Sequence, residues 1–135
     1  MVYEKHIELE TSHLYLLEEG LTLLRAKNKV EFELKHAVEV DNLTYDLVKG
    51  KPFVAIVDGQ NVRSNMSHAA RDYFAKNEKI TNIRKGQAIV VNSLHIKLLA
   101  NFYMNFHKPS NPVKIFADYD KAYNWIIEIR NEWYK

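Results

Sequence analysis

Six histidines, a Ser67-His68 pair and a polar loop after an apolar run are the residues with which this sequence could do chemistry. The histidines, His6, His13, His36, His68, His95 and His107, have neither HxxxH nor HxH spacing, and carboxylates do not cluster with them. No metal site is therefore expected. Ser67 and His68 are adjacent, so on a helix their side chains diverge, which is not how a base serves a nucleophile. There is no GxSxG elbow. The four glycines, Gly20, Gly50, Gly59 and Gly86, are too scattered for a Walker loop or a dinucleotide fingerprint. With no cysteine there is no thiolate, disulfide or Cys-based zinc site. The expectation is a protein that is not an enzyme and carries no cofactor.

The stretch FVAIVDGQNVRSNMSHAARDYF, Phe53 to Phe74, is different in kind. It reads as a buried strand, a polar loop and a helix opened by serine. In an open α/β sheet, ligands and partners meet the crevice beyond the carboxyl ends of the parallel strands, where Asp58, Gln60, Asn61, Arg63 and Ser67 all fall. Two readings stand. In the structural one, Asp58-Gly59 makes a turn and Ser67 caps its helix. In the functional one, Asp58, Asn61 and Arg63 form a partner-binding loop and Ser67 is a phospho-acceptor, since a phosphate there would face the positive end of the helix.

Several elements must position these residues. Ile7 to Ala26 breaks at Glu18-Glu19-Gly20 between two β-compatible runs, which predicts a hairpin with Leu14, Leu16, Leu21 and Leu23 facing inward. Leu17 and Leu24 spoil strict alternation, leaving the register open. A helix of about four turns ends near Val48, before Gly50 and Pro52, with either Leu34, Val38 and Tyr45 or Val40, Leu43 and Leu47 as its stripe. Its start is ambiguous, because Val30, Phe32 and Leu34 alternate as a strand would.

Strand-like QAIVVN from Gln87 and PVKIF from Pro112 then alternate with helical segments from Ser67, Ser93 and Asp118. The pattern ββαβαβαβα implies an α/β fold, a mixed sheet with parallel later strands. In the last helix Ala122, Trp125, Ile126, Ile129 and Trp133 share one stripe and Asp118 is placed to cap. The helix from Ser93 to Lys108 carries Ile96, Leu99, Phe102, Tyr103 and Phe106 on one stripe, widened by Leu94, Leu98 and Met104. Such breadth reads as a helix buried on both sides, as a homodimer interface, or as the wall of an apolar ligand pocket; Leu98, Phe102, Tyr103 and Phe106 are the candidate surface.

A chain of 135 residues is one domain, residues 1–135, with 47% hydrophobic and 27% charged residues. The net charge of +2, with basic residues scattered, gives no reason to expect nucleic acid as a partner. No run of apolar residues is long enough to insert in a membrane, and the charged start MVYEKHIELE lacks a secretory apolar core. Cytoplasmic location is the expectation.

The order of elements and the stretches SHAARDYFA, QAIVVNS, LLANFYMNFHKP and NPVKIFADYDKAYNWI together resemble the STAS/SEC14-like domains, relatives of the anti-sigma-factor antagonists, and in particular a subgroup of stand-alone bacterial members. The similarity runs from about Phe53 to Ile127. It implies a mixed four- to five-stranded sheet with an N-terminal β-hairpin followed by βα repeats, the helices packed on the sheet. It also implies a non-enzymatic protein-binding or regulatory module. The antagonists' phospho-acceptor serine corresponds to Ser67 and their strand-end Asp to Asp58, while Met66, His68 and Ala69 stand where their motif has Asp, Ser and Gly. The SEC14 branch implies instead a carrier of a small lipid-like ligand.

Overall fold

The computed structural model describes residues 1–60, 64–92 and 110–134. Its centre is a six-stranded sheet built from β1 (Lys5–Glu8), β2 (Ser12–Glu18), β3 (Leu21–Ala26), β5 (Phe53–Asp58), β7 (Arg84–Val90) and β8 (Val113–Phe116), in the spatial order β1-β2-β3-β5-β7-β8. β1, β2 and β3 pair antiparallel, and β3, β5, β7 and β8 pair parallel. The two-residue strands β4 (Glu31–Phe32) and β6 (Asn65–Met66) form a separate parallel pair. The helices among the described residues are α1 (Leu34–Val48), α2 (His68–Lys76), α3 (Glu78–Thr81) and α4 (Tyr119–Trp133).

The expected α/β class and hairpin are present, with one strand more than the four or five expected. The extra strand is β1, whose sequence KHIE has a single half-buried apolar residue, Ile7, and so lacks the alternation that marks a strand. As an edge strand it needs only one bonded side, and β2 supplies it.

The hairpin leucines divide between two faces. Tyr15, Leu17, Leu21 and Leu23 join Val54, Ile56, Ala88 and Val90 under α4. Leu14 faces the other way, paired with Leu24, and Leu16 pairs with Thr22. The expected single inward set of Leu14, Leu16, Leu21 and Leu23 is thus two sets on opposite faces. Leu17 lies on the α4 face by ordinary alternation with Tyr15, and apolar residues on both faces of β2, not a change of face, are why the sequence shows no alternation there. Both faces are covered at β2, so continuous burial replaces alternation.

α4 lies on one face because Ala122 and Ile126, both fully buried, fit against Gly86, where an added Cβ would crowd Ile126 and Ile129 at 3.2 Å. Asp118 caps it as expected, accepting from the Asp120 N–H at 2.9 Å. Trp125 and Ile129 pack at the margin, but Trp133 departs from the expected stripe: it is 51% exposed, its ring under the Lys85 ammonium at 4.8 Å. The other face carries α1 and α3, with Val48 and Ile80 packed on Phe53 and Ala55. The buried stripe of α1 is His36, Ala37, Val40, Asp41, Thr44 and Val48, which is neither of the two stripes expected, and Leu34 is exposed. Three of those six positions are polar, so hydrophobicity alone selects the wrong side of the helix.

Candidate functional site

Asp58 ends β5 on the α4 side of the sheet, following Val54 and Ile56 in the period of two. It is buried. Its Oδ2 accepts from Arg25 Nε at 3.0 Å and its Oδ1 accepts from the Gln60 N–H at 3.0 Å, closing an Asx turn. The Arg25 guanidinium also lies 5.8 Å from the Tyr119 ring centroid, joining β3, β5 and α4. Burial raises the Tyr119 hydroxyl above its ordinary pKa. Both carboxylate oxygens of Asp58 are therefore spent inside the protein.

Ser67 lies on the other side of the sheet, at the start of α2, which packs on α1. Its exposed Oγ accepts from the Ala70 N–H at 3.1 Å, the cap bond that its position demands. Its own N–H donates to the Phe32 carbonyl at 2.8 Å, and Ser64 Oγ donates to the Lys27 carbonyl at 2.7 Å, so this end of the loop is tied to residues 27–32. Asp58 and Ser67 do not form one patch. Asn61 and Arg63 lie outside the described residues, as do Leu98, Phe102, Tyr103 and Phe106.

A larger concavity occupies the face opposite α4. It has a volume of about 700 Å³ and runs between the sheet and the helices α1, α2 and α3. Its floor is Leu14, Leu24, Ala55, Val57 and Ile89, and its roof is Val40, Thr44, Phe74 and Ala75. Leu24, Val57 and Ile89, which line this space, are only half-buried. Among the described residues the walls bring three charged side chains, Asp41 from α1, Arg71 from α2 and Arg84 from β7. Asp41 is 3% exposed, and its Oδ2 accepts from Asn77 Nδ2 at 3.0 Å. Burial pushes its carboxyl up to about 6, against the smaller opposing effects of the Asn77 hydrogen bond and the Arg84 charge. At the lower end Asn111 Nδ2 donates to the Arg84 carbonyl at 2.7 Å, fixing the entry to β7.

None of these cavity residues stands out by motif. The one signal in the sequence is Asp41 itself, an acid at the i, i+3, i+4, i+7 spacing that also holds Ala37, Val40 and Thr44. Among the described residues there is no group of three or more side chains that could hold a metal ion, and no helix long and apolar enough to cross a membrane.

Comparison with known proteins places the fold. A crystal structure of an uncharacterised protein of the DUF3478 family from Shewanella loihica PV-4, with a SpoIIAA-like fold, superposes with a TM-score of 0.61 over 90% of each chain at 17% sequence identity. That likeness is one of fold, and it bears out the STAS-like architecture expected from the sequence. No curated protein matches this sequence. The model of the family described as a domain of unknown function, DUF7793, matches residues 15–130, and the chain belongs to that family.

Proposed function

We propose that this protein is a cytoplasmic, non-enzymatic binding module of STAS-like type that holds a small, largely apolar molecule against the sheet face opposite α4. The carrying observation is the cavity of about 700 Å³, whose size suits one small-molecule ligand and whose lining is mostly apolar with a few polar groups. Leu24, Val57 and Ile89 leave apolar surface directed into it, and a ligand covering that surface would be held by the hydrophobic effect. A native mass spectrum of protein purified gently from its own host cells tests this. A non-covalent adduct that disappears in Ile89→Trp, while the circular dichroism spectrum is unchanged, is the expected result. An unliganded protein, together with an empty organic extract, would count against it.

A second reading has its own observation. The Ser67 hydroxyl is exposed at the N-terminus of a nine-residue helix, where a phosphate would meet unpaired backbone N–H groups and the positive end of the helix. In this reading the module is regulatory, binds a partner protein, dimerises and is switched at Ser67. The same spectrum reports it, through subunit number and a phosphoryl-sized covalent increment located at Ser67. An unmodified monomer speaks against it.

A further inference from the structure

β1 closes one side of the sheet, and among the described residues no strand pairs with its outer edge. Its sequence KHIE holds no proline; Lys5, His6 and Glu8 are exposed and Ile7 is half-buried. The Leu9 N–H donates to the Ser12 carbonyl at 2.8 Å, continuing the register in which Ile7 faces Leu14. Bonded and non-bonded pairs alternate along an antiparallel ladder, so Ile7 spends its N–H and C=O on β2, while His6 and Glu8 turn theirs outward. Outward backbone groups of this kind are a template for a further strand. Among the described residues Met1, Val2 and Tyr3 are three of the five exposed large hydrophobic residues, so exposed apolar surface is concentrated beside this edge.

The side chains of β1 are complementary to a second copy of themselves. In an antiparallel pair related by a two-fold axis, opposite residues share a face of the sheet, so the axis passes through a residue. An axis at Ile7 sets Ile7 against the partner's Ile7 and His6 against the partner's Glu8. At any other residue of β1 it sets Lys5, His6 or Glu8 against its own kind, which is unfavourable for like charges. Both polar groups keep their present partners and still have an atom to offer. His6 Nε2 lies 2.9 Å from His13 Nδ1, which leaves the His6 Nδ1. Glu8 Oε2 accepts from Lys27 Nζ at 2.8 Å, which leaves Oε1 on a side chain that is 63% exposed. The hydrogen bond from Lys27 also holds the Glu8 carboxyl below its ordinary pKa, so it stays an ionised acceptor. We propose that β1 pairs antiparallel with β1 of a second copy of this chain about a two-fold axis at Ile7, so that one sheet runs through both. His6 and the partner's Glu8 then exchange their backbone hydrogen bonds, and the imidazole donates to the carboxylate. This surface includes neither the cavity nor Ser67, and it stands or falls independently of both.

The test is sedimentation of the full chain together with cysteine cross-linking, which reports cleanly because the sequence has no cysteine of its own. The unaltered chain should form a reversible dimer with a dissociation constant in the micromolar range, as suits a small interface. At the axis the two Ile7 Cα atoms would lie about 4.5 Å apart, within the span of a disulfide. Ile7→Cys, oxidised with glutathione disulfide, should therefore run as a dimer in denaturing gels and return to monomer with reductant. Lys5→Cys lies on the same face but about 13 Å from its copy, and should stay monomeric in the same gel. Glu8→Pro removes an outward N–H and no bond to β2, so it should weaken the dimer at least tenfold while the circular dichroism spectrum is unchanged. An unaltered chain that is monomeric up to about 1 mM overturns the proposal. So does a dimer that cross-links through Lys5→Cys and not through Ile7→Cys, or one that Glu8→Pro leaves intact. The sedimentation result comes from the unaltered protein, so it does not depend on any variant folding.

Discussion

Ser67 and Asp58 show how one loop can carry residues of unlike standing. The Ser67 cap bond to Ala70 is a local matter, set by a serine at the first turn of α2. Ser67→Ala should lower stability by about 1 kcal/mol, read as a lower denaturant midpoint with an unchanged slope, and Ser67→Asp, which can still accept the bond, should not. Asp58 is different because its partner Arg25 is 33 residues away in sequence, and nothing local foretells the pair. The carboxylate therefore reads as a loop residue in the sequence and as a buried tie between strands in the fold.

At the scale of elements, the hairpin between β2 and β3 is fastened to the C-terminal end of α4. Arg130 Nε donates to the Glu19 carbonyl at 2.8 Å, and the Tyr134 hydroxyl donates to the Pro52 carbonyl. The Tyr134 ring lies against Gly20, whose φ of +78° is in the left-handed region. Gly20→Ala would meet both a strained backbone and that ring, so a loss of at least 1–2 kcal/mol is expected, roughly twice the cost of the backbone alone. Thermal unfolding checks it. If Tyr134→Ala in the same chain restores much of the loss, the ring contact is the larger part.

For the whole molecule, the sheet has unlike faces. One is closed by α4 over an apolar core, whereas the other leaves a cavity with a buried acid in its wall. Asp41 costs stability at neutral pH. Its carboxyl sits at about 6 in the folded chain against an ordinary 3.8, so folding favours the protonated form. The resulting stabilisation is complete below about pH 4 and is lost as the pH rises through about 6. Asp41→Asn keeps an acceptor for Asn77 and removes the charge. It should raise stability by on the order of 2 kcal/mol at about pH 7 and change it little at about pH 4. Urea unfolding at the two pH values measures the difference, and a gain that is the same at both would refute the linkage.

Much of the architecture was legible from local pattern. The α/β class, the break at Gly20, the strands at Phe53 and Val113, and the caps at Ser67 and Asp118 each follow from a few neighbouring residues, because turn, cap and strand preferences act over short distances. The edge strand β1, the division of the hairpin leucines between two faces and the exposed Trp133 did not follow. Each depends on which surface the chain later covers. The cavity was the least legible of all. Asp41, Asn77 and Arg84 are far apart in sequence and belong to no motif, and only the packing of α1 over the strands puts their charges and hydrogen bonds into one low-dielectric space.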